Sequence, residues 1–430
     1  MNLVAKYQTL LDKRKDVFAG LITSEVGKPL WEAEWEVADT LLLIGGYLAQ
    51  YSQKAPKEKV TSNEGFSAEI SYRPRGVVAM TCGTDLPGYQ PHRFMIPALV
   101  EGNTIVMKAS KYAPTVAQFL AQVAHEAGIP SGVLNVIHGD YEVSRRLFSH
   151  DDVDCVFFSG SHERAMKVKK QLVTDYRKHL VLETGGKNMA ILWKDCDYET
   201  ALRDLFFAAN LTSGMRSLST RIAMVHESLT EQLTKDIHKM SKKCIVGYGF
   251  DVENPPFMGP LVSANAVENY VRYQGIALRE GCEEVMRGKP LERKQSGHYV
   301  SPSIHLMRKT DSKSVYETSE IFGPNLAIYS VKDFDQVLET LGNAHYGLVT
   351  SLYSKDKTLF EHLVRDVSVG RFYRNLPTTF NTEAIPYVAT RKSGSCTPLG
   401  SETVSQCHYP VCAVEGQVPY GVKGPLPTVG

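Results

Sequence analysis

Two kinds of side chain at a defined spacing could carry out acyl chemistry in this chain. Glu183 stands just before the glycine pair Gly185 and Gly186, and an apolar segment leads from there to Ser217. A carboxylate can act as a general base, and a serine hydroxyl can attack a carbonyl carbon when a base lies within hydrogen-bond reach. No His or Lys near Ser217 in the sequence is an obvious base. The spacing therefore indicates a reactive site whose nucleophile is weak.

Short apolar strands alternate with helices in the segments that must position these residues. The predicted strands are 75–80, 103–108, 132–137, 155–158 and 179–182, and helices are predicted at 115–127 and 163–175 between them. This alternation predicts an α/β fold with a parallel sheet, and a nucleotide-binding crevice at its strand ends is the usual consequence. Residues 1–52 have helical periodicity and predict a hairpin of two helices ahead of the sheet.

The same rhythm restarts after residue 183 and predicts a second α/β lobe. Its predicted strands are 189–192, 221–226, 325–331 and 348–353, with a helix at 198–209. We expect a cofactor-binding lobe at 1–183 that includes bridging strands at 58–74, a catalytic lobe at 184–385, and a C-terminal arm at 386–430. The arm is rich in Gly, Pro, Ser and Thr, which is typical of an extended segment packed on the body or on a neighbouring subunit.

The composition limits the kind of partner. The 430 residues are 43% hydrophobic and 22% charged, enough to bury a large core. Lys plus Arg (48) nearly balances Asp plus Glu (47), so no strong field favours nucleic acid or an anionic membrane, and a small-molecule ligand is expected. The start of the chain has no apolar signal region, and no apolar run reaches membrane-spanning length, which indicates a cytoplasmic protein.

The eight cysteines are scattered without close pairing, which is typical of reduced thiols. A C-terminal group of Cys396, Cys407, His408 and Cys412 offers four potential zinc ligands. Its spacing matches no common zinc module, because structural sites usually bring their ligands in closely spaced pairs. The sequence favours buried or incidental thiols over a metal site, and we expect no metal.

Several separated motifs resemble the aldehyde dehydrogenase family over essentially the whole chain. They are the segment 73–77, the loop at Pro87 and Gly88, the segment 97–104, and the region from Gly370 onward. Within the family these motifs look most like the bacterial succinylglutamic semialdehyde dehydrogenase branch. The resemblance implies two doubly wound lobes with a bridging strand and a C-terminal arm. Family members have several tens of residues ahead of the point where this chain begins, which implies missing edge structure in the cofactor lobe.

The resemblance also assigns catalytic roles. Glu183 matches the family's water-activating glutamate, and its glycine neighbours leave room for the nicotinamide ring. Ser217 stands where the family has its nucleophilic cysteine, and a serine hydroxyl ionises far less readily than a thiol near pKa 8.5. Asp85 replaces the oxyanion-stabilising asparagine, so a contact typically worth about 2.7 to 4 kcal/mol becomes neutral or unfavourable. A buried, paired core carboxylate is the alternative for Glu183.

The cofactor motifs are partly altered. Lys108 matches the lysine that lies against the cofactor ribose, but Lys111 stands where the family has a carboxylate. A cation there suits the 2′-phosphate of NADP, although a solvated surface lysine is an equal alternative. Gly160 and Ser161 match the loop whose backbone amides face the cofactor pyrophosphate. We therefore expect NAD or NADP as cofactor, with a slight preference for NADP.

A second cofactor motif, at residues 320–324, is intact. Glu320 matches the glutamate that holds the nicotinamide ribose, and Phe322 matches the residue that packs beside the ring. Gly185, which leaves room for the ring, is also expected to contact the cofactor. A structural salt bridge is the alternative for Glu320.

Two classes of function follow from these departures. The first is an NAD(P)-dependent enzyme that oxidises succinylglutamic semialdehyde, an aldehyde of arginine catabolism, with activity lost or severely impaired; a residual esterase that uses Ser217 belongs to this class. The second is a non-catalytic relative that keeps the fold for cofactor binding, assembly or regulation.

Substrate and assembly expectations follow from the same resemblance. His92, Arg93 and Arg216 could recognise the carboxylates of an acidic aldehyde, although surface or structural charges are favoured for each. The family lines its substrate mouth at the segment that corresponds to 373–377. The alternating strand near 66–73 and the C-terminal arm resemble subunit-bridging elements, which predicts a homodimer or a higher homo-oligomer.

Overall fold

The structure, a computed structural model, describes residues 1–53, 57–61, 66–307, 309–311 and 313–416. Its two large sheets are covered by helices, so the α/β fold class predicted from the sequence is confirmed. No helix in the described part of the chain is long and apolar enough to cross a membrane.

The N-terminal layer contains three helices rather than the predicted hairpin of two. They are Asn2–Lys13, Lys15–Val26 and Leu30–Gln53. The first predicted helix is divided at Arg14, whose φ of −119° is not helical. The apolar residues keep their helical spacing on both sides of this break. The second helix ends at Gly27, which adopts the left-handed conformation that favours glycine (φ 72°).

The first large sheet has five parallel strands, as the alternation of elements predicts. In spatial order they are Leu134–Ile137, Thr104–Lys108, Val77–Thr81, Cys155–Ser159 and His179–Glu183. The helices of this region are Tyr89–Val100, Pro114–Glu126, Tyr141–Ser149 and His162–Leu172. The sheet's last strand ends at Glu183, so this carboxylate lies at the carboxyl edge, where ligands of open α/β sheets bind.

The second large sheet has seven strands and is parallel except at one edge. Its spatial order is Glu283–Met286, Ser303–Met307, Asn325–Val331, Thr220–His226, Asn188–Leu192, Val349–Tyr353 and Arg371–Arg374, with the first pair antiparallel. The helices of this region are Tyr198–Asn210, Glu227–Lys243, Ala264–Arg279, Val315–Thr318, Phe334–Gly342 and Lys357–Asp366. Ser217 lies in the loop that leads into the strand Thr220–His226.

A third, antiparallel sheet joins distant parts of the chain. The strand Phe66–Pro74 pairs on one side with Lys57–Thr61 and on the other with His408–Gly416. Before it reaches this sheet, the C-terminal segment forms two short strand pairs, Tyr346–Gly347 with Thr390–Arg391 and Tyr387–Val388 with Pro398–Leu399, and the 3-10 helix Gly400–Cys407. Residues 417–430 of the predicted arm lie outside the described residues.

Candidate active site

The structure brings the three predicted catalytic residues to one small cavity. Asp85, Glu183 and Ser217 all line a space of about 50 Å³, which we call the inner cavity, and Gly185 lies on the same wall. Asp85 comes from the loop after the strand Val77–Thr81. Glu183 ends the last strand of the first sheet, and Ser217 lies in the loop before the strand Thr220–His226. Residues from three distant parts of the sequence, near 85, 184 and 217, therefore share one site.

Glu183 is held by an arginine that the sequence did not assign to it. Arg93 donates from Nη1 to Glu183 Oε2 at 2.8 Å and from Nη2 to Oε1 at 2.9 Å. The Tyr387 hydroxyl donates to the same Oε1 at 2.5 Å. Burial raises the pKa of Glu183, and the positive charge of Arg93 opposes that rise. Both oxygens of the carboxylate are therefore occupied by donors, which leaves it poorly placed to accept a proton from water.

The network continues to a second glutamate and a second arginine. Arg93 Nε donates to Glu383 Oε1 at 2.9 Å, and Arg371 Nη2 lies 3.8 Å from the same oxygen. The Arg371 guanidinium lies 3.6 Å from the centre of the Tyr387 ring. Two arginines and two glutamates thus surround one tyrosine beside the inner cavity. The sequence signals for this network are weak: Arg93 interrupts an apolar helix, and Glu383 lies in an irregular segment. Arg371 and Tyr387 begin short strands that the sequence did not predict.

The described surroundings of Ser217 hold its backbone and leave its hydroxyl without a partner. Among the described residues no hydrogen bond involves Ser217 Oγ, and no base lies within hydrogen-bond reach of it. Its backbone carbonyl accepts from Asn188 Nδ2 at 2.7 Å. A Cβ on Gly186 would lie 2.9 Å from this carbonyl oxygen, so Gly186 packs directly against the serine backbone. The hydroxyl is positioned but not activated.

The turn just before Ser217 is left-handed and is held from far away in the sequence. Thr212 and Ser213 have φ values of 54° and 53°, and Gly214 follows at 67°. The fully buried carboxylate of Glu32 accepts the Thr212 backbone N–H at 3.2 Å and also the Thr212 hydroxyl. Arg216 donates to the same carboxylate at 3.2 Å. An N-terminal helix therefore fixes the backbone that presents Ser217.

Asp85 is buried at the mouth of the same site. Its backbone carbonyl accepts from Lys28 Nζ at 2.8 Å, and Lys28 also pairs with the buried Glu36. Burial raises the pKa of the Asp85 carboxyl, and Lys28 opposes that rise. When it is ionised, this carboxylate offers no donor to a developing oxyanion.

The residues predicted to face the cofactor phosphates form a basic corner. Gly160 donates its N–H to the Glu183 carbonyl at 3.1 Å, and Ser161 caps the helix His162–Leu172 by accepting the Arg164 N–H. Burial lowers the pKa of Lys108, and the charge of Arg164 lowers it further. Lys111 lies 4.7 Å from the centre of the Tyr112 ring. A helix N-terminus beside Lys108 and Arg164 suits the phosphates of a dinucleotide.

The residues predicted to face the nicotinamide end of the cofactor enclose very little free space. Glu320 Oε1 accepts the Gly186 N–H at 3.3 Å, and a Cβ on Gly185 would overlap the Glu320 carboxylate. Burial raises the pKa of Glu320 to about 7. The adjoining space, lined by Asp85 and Phe322 among others, measures only about 10 Å³. A nicotinamide ring needs this corner to open, whereas the phosphate half of the dinucleotide fits the residues already in place.

A larger cavity of about 490 Å³, which we call the vestibule, adjoins the inner cavity. Tyr89 and Asn381 line both spaces, and Asn381 Nδ2 donates to the Tyr89 hydroxyl at 2.8 Å. The described residues that line the vestibule do not include the predicted mouth segment at 373–377 and instead include the segment 381–384. The vestibule is lined by Asp39, Leu42, Leu43, Gly46, Tyr47, Gln50, Gln53, Tyr89, Asn381, Thr382, Glu383, Ala384 and Ser401.

The three basic residues that could have bound the carboxylates of a substrate all contact other residues of the protein instead. His92 is fully buried and bonds the Tyr7 hydroxyl at 2.8 Å and the Gly88 carbonyl at 2.6 Å. Burial lowers the pKa of His92 to about 4, so the ring is neutral near pH 7. Arg93 and Arg216 are paired with glutamates as described above. None of the three lies at the surface, and none is free to bind a carboxylate.

The C-terminal thiols do not form a metal site in the described part of the chain. Cys407 is buried, Cys396 and Cys412 are exposed, and the His408 ring lies 3.0 Å from Glu101 Oε2. No group of three or more His, Cys, Asp or Glu side chains in the described ranges is placed to hold a metal ion.

The chain resembles known proteins along most of its length. The sequence model described as the aldehyde dehydrogenase family matches residues 1–410. N-succinylglutamate 5-semialdehyde dehydrogenase from Burkholderia multivorans is 31% identical over 415 residues, which is 96% of this chain and 84% of that protein. The protein of the same name from Novosphingobium aromaticivorans is 28% identical over 420 residues, 97% of this chain and 88% of its own length.

Solved structures share the fold. The crystal structure of betaine aldehyde dehydrogenase from Staphylococcus aureus in complex with NAD+ superposes with a TM-score of 0.91 at 23% identity, covering 98% of this chain and 84% of that chain. A lactaldehyde dehydrogenase superposes with a TM-score of 0.90 at 26% identity, covering 96% and 85% respectively.

Proposed function

Because the chain belongs to the aldehyde dehydrogenase family, we propose that it is a relative of N-succinylglutamate 5-semialdehyde dehydrogenase that has lost most dehydrogenase activity and still binds NAD(P). The relatives that carry that name match almost the whole chain. The family chemistry needs an activated nucleophile, an oxyanion donor and a free general base. In this chain the corresponding residues are Ser217, Asp85 and Glu183.

One observation carries the proposal. Glu183 is engaged by three donor hydrogen bonds, two from Arg93 and one from Tyr387. A base held in a buried ion pair must break that pair before it can take a proton from water, and breaking such a pair is costly. Ser217 has no base of its own within the described residues, so both halves of an acyl-transfer cycle are impaired.

The proposed cofactor is NAD or NADP. When bound, the dinucleotide supplies the hydride acceptor for aldehyde oxidation. Gly160 and Ser161 would hold its phosphates, and Lys108 would hold its adenosine ribose. Lys111 lies in the loop that follows Lys108. A cation at Lys111 favours a 2′-phosphate over a 2′-hydroxyl, so we propose NADP as the better ligand. Glu320 and Phe322 would face the nicotinamide end after the corner opens.

Two further proposals concern organisation. We propose that residues 1–183 act as the cofactor lobe and 184–385 as the catalytic lobe. We also propose that the sheet formed by Phe66–Pro74 and His408–Gly416 contributes to a homodimer or higher homo-oligomer. Two exposed apolar side chains on its outer strand, Tyr409 and Val414, support this assignment. Light scattering that gives a monomeric mass at micromolar concentration would contradict the oligomer.

The test separates cofactor binding from turnover. Calorimetric titration with NAD and with NADP is expected to show binding of both, tighter for NADP, and Lys111→Glu is expected to reverse that order. NAD(P)H formation with succinylglutamic semialdehyde and with simple aldehydes is expected to stay at background. Ordinary enzymatic turnover would refute the loss of activity. Absence of binding to either cofactor would leave a structural role as the function.

A further inference from the structure

A third cavity, of about 700 Å³, lies among the N-terminal helices, and we call it the N-terminal groove. Its walls come from the helix Asn2–Lys13, the first turn of Lys15–Val26 and the helix Leu30–Gln53. Gln8 Nε2 donates to the Leu41 carbonyl at 2.8 Å and ties the first of these helices to the third. None of the residues assigned to the cofactor or to catalysis is among the described residues that line the groove, so the proposed function leaves it unexplained.

The helix Leu30–Gln53 presents an apolar stripe to this groove. Val37, Ala38, Leu41 and Leu42 line it at the spacing of a single helix face. Leu42 is 74% exposed, and Trp35, two turns earlier on the same side of the helix, is 54% exposed. Large apolar side chains that are exposed together on a soluble protein mark interaction surfaces. This stripe is therefore an open face that the described part of the chain does not cover.

The rim of the groove carries an excess of carboxylates. Asp12, Asp16 and Glu34 line it, and Lys15 is the one cation among the described lining residues. All four side chains are exposed, and none of them forms a hydrogen bond or an ion pair within the ranges that the structure describes. The rim is therefore free to pair with basic groups that a partner brings beside the apolar stripe.

The shape of the groove decides between classes of partner. The stretch from Glu34 to Leu42 is about 12 Å long at 1.5 Å per residue, a little over two helical turns. Small-molecule sites enclose most of their ligand, whereas this groove is open along Leu42. An amphipathic helix that binds in a groove uses a short row of apolar anchors and leaves its other face in solvent. The open stripe and its acidic rim fit a helix of this kind with basic residues beside its anchors.

We propose that the N-terminal groove is a docking surface for a basic amphipathic helix of a partner protein. Its apolar anchors contact the stripe that ends at Leu42, and its lysines or arginines pair with the rim carboxylates. A second copy of this chain is the poorer occupant, because two such grooves facing each other across a two-fold axis would oppose like charges. Docking requires neither the cofactor nor the residues of the inner cavity, so it stands apart from the proposed function.

The test uses three helical peptides of equal length with the same leucine and alanine face. The residues beside that face are lysines in the first peptide, glutamines in the second and glutamates in the third. Fluorescence anisotropy with the full chain is expected to show the lysine peptide binding at least about fivefold more tightly than the glutamine peptide at low salt, an advantage that high salt removes. The glutamate peptide is expected not to bind. Absence of binding by all three peptides, or equal binding by the lysine and glutamate peptides, would overturn the proposal.

Variants of exposed residues locate the peptide without disturbing the core. Leu42→Ser is expected to weaken the lysine and glutamine peptides alike, by at least about fivefold, because both lose the same apolar contact. The double variant Asp12→Asn/Glu34→Gln is expected to weaken only the lysine peptide, by about three- to tenfold at low salt. The two kinds of variant therefore report separately on the stripe and on the rim.

Two controls match these changes elsewhere on the surface. Tyr176→Ser removes an apolar side chain that is 94% exposed and does not line the groove. Asp151→Asn/Asp152→Asn removes two exposed carboxylates and so changes the net charge by the same amount. Both controls are expected to keep the wild-type affinity, and losses equal to those of the groove variants would reject the site. A dimer that dissociates in Leu42→Ser, measured by light scattering, would assign the groove to a second copy and contradict the proposal.

Discussion

Arg93 and Glu183 form a bidentate ion pair at the edge of the inner cavity, with N–O distances of 2.8 and 2.9 Å. Parallel N–H···O bonds of this kind fix the carboxylate plane as well as its position. Each side chain is only 11% exposed, so water does little to screen the pair. Glu183, the general base in the proposed function, is therefore engaged by a neighbouring arginine.

The first prediction concerns partial restoration of the chemistry. Ser217→Cys combined with Asp85→Asn provides a thiol and an oxyanion donor, but it leaves Glu183 bound to Arg93. We expect a burst of NAD(P)H of about one per site with a reactive aldehyde, followed by slow turnover, because water attack on the acyl-enzyme lacks a free base. Rapid kinetics measures the burst, and intact-protein mass spectrometry detects the accumulated acyl-enzyme.

Adding Arg93→Met to this double variant removes two of the three hydrogen bonds to Glu183 and leaves Oε2 open to water. The steady-state rate is then expected to rise by at least about tenfold, since general-base assistance commonly contributes 10² to 10⁴. Arg93→Lys in the same background keeps the positive charge and is the control, with a smaller rise expected. Fast steady-state turnover while Arg93 is still present would show that the ion pair does not restrain Glu183.

A second prediction concerns stability. Arg93→Met leaves Glu183 buried without its cation, which typically costs about 3 to 5 kcal/mol. The double variant Arg93→Met/Glu183→Gln is expected to lose less than the sum of the two single changes, because removing both charges leaves neither uncompensated. Urea unfolding measures the free energy of each variant.

The matched control for this cycle is the pair Arg14–Glu126, which is also bidentate but exposed. Arg14→Met is expected to change stability little, since solvent screens surface pairs. Equal losses at the buried and exposed pairs would mean that burial of Arg93 and Glu183 does not determine their contribution.

The third prediction is a pH dependence from Lys187, whose Nζ donates to the Tyr316 and Ser319 carbonyls. Burial lowers the pKa of Lys187 from 10.5 to about 7. Between these two pH values the unfolded chain binds more protons at this site than the folded chain, so the free energy of unfolding rises with pH. Each unit of pKa difference corresponds to about 1.4 kcal/mol, which makes the full effect a few kcal/mol.

Lys187→Met is expected to flatten this rise between pH 7 and pH 9.5, while it lowers stability at all pH values because two carbonyls lose their donor. Lys170→Met, at an exposed helical lysine, is the control. Chemical unfolding at several pH values gives the slopes. A slope that is unchanged in Lys187→Met would show that this lysine does not deprotonate in the folded protein over that range.

The fourth prediction concerns the left-handed turn. A Cβ at Gly214 would overlap the backbone of Gly323 and Pro324, and φ is 67°. Gly132 has a comparable φ of 88° but open space around it. Both Gly→Ala changes carry the strain of a left-handed alanine, about 1 kcal/mol, and Gly214→Ala adds overlap worth about 1 to 3 kcal/mol. Thermal unfolding should separate the two variants, and equal losses would mean that the neighbouring backbone yields.

Much of the fold could be predicted from the sequence because apolar periodicity is a local signal. The five strands of the first large sheet, four of the seven strands of the second and the helix at 198–209 fall close to their predicted positions. The strands Glu283–Met286, Ser303–Met307 and Arg371–Arg374 were not predicted. The break at Arg14 escaped prediction because apolar residues continue with helical spacing on both sides of it. A backbone dihedral change at one residue leaves no mark in such a pattern.

The site was only partly predictable. The motif spacing linked Glu183 with Ser217, and the family resemblance added Asp85; the three residues line one cavity. It did not predict the ion pair between Arg93 and Glu183. The two residues are 90 positions apart, and no local pattern links an arginine to one particular carboxylate. Glu383 was missed for the same reason. Long-range charge pairing depends on the tertiary arrangement of elements, which periodicity does not encode.

Glu32 links the N-terminal helices to the loop that carries Ser217. Its carboxylate reaches across 180 residues of sequence to hold the turn that precedes Ser217. That turn places two non-glycine residues in the left-handed region, a conformation that local interactions disfavour. The backbone that leads to Ser217 therefore depends on a partner outside its own lobe, and a change in the docking of the helix Leu30–Gln53 would be transmitted to it through Glu32.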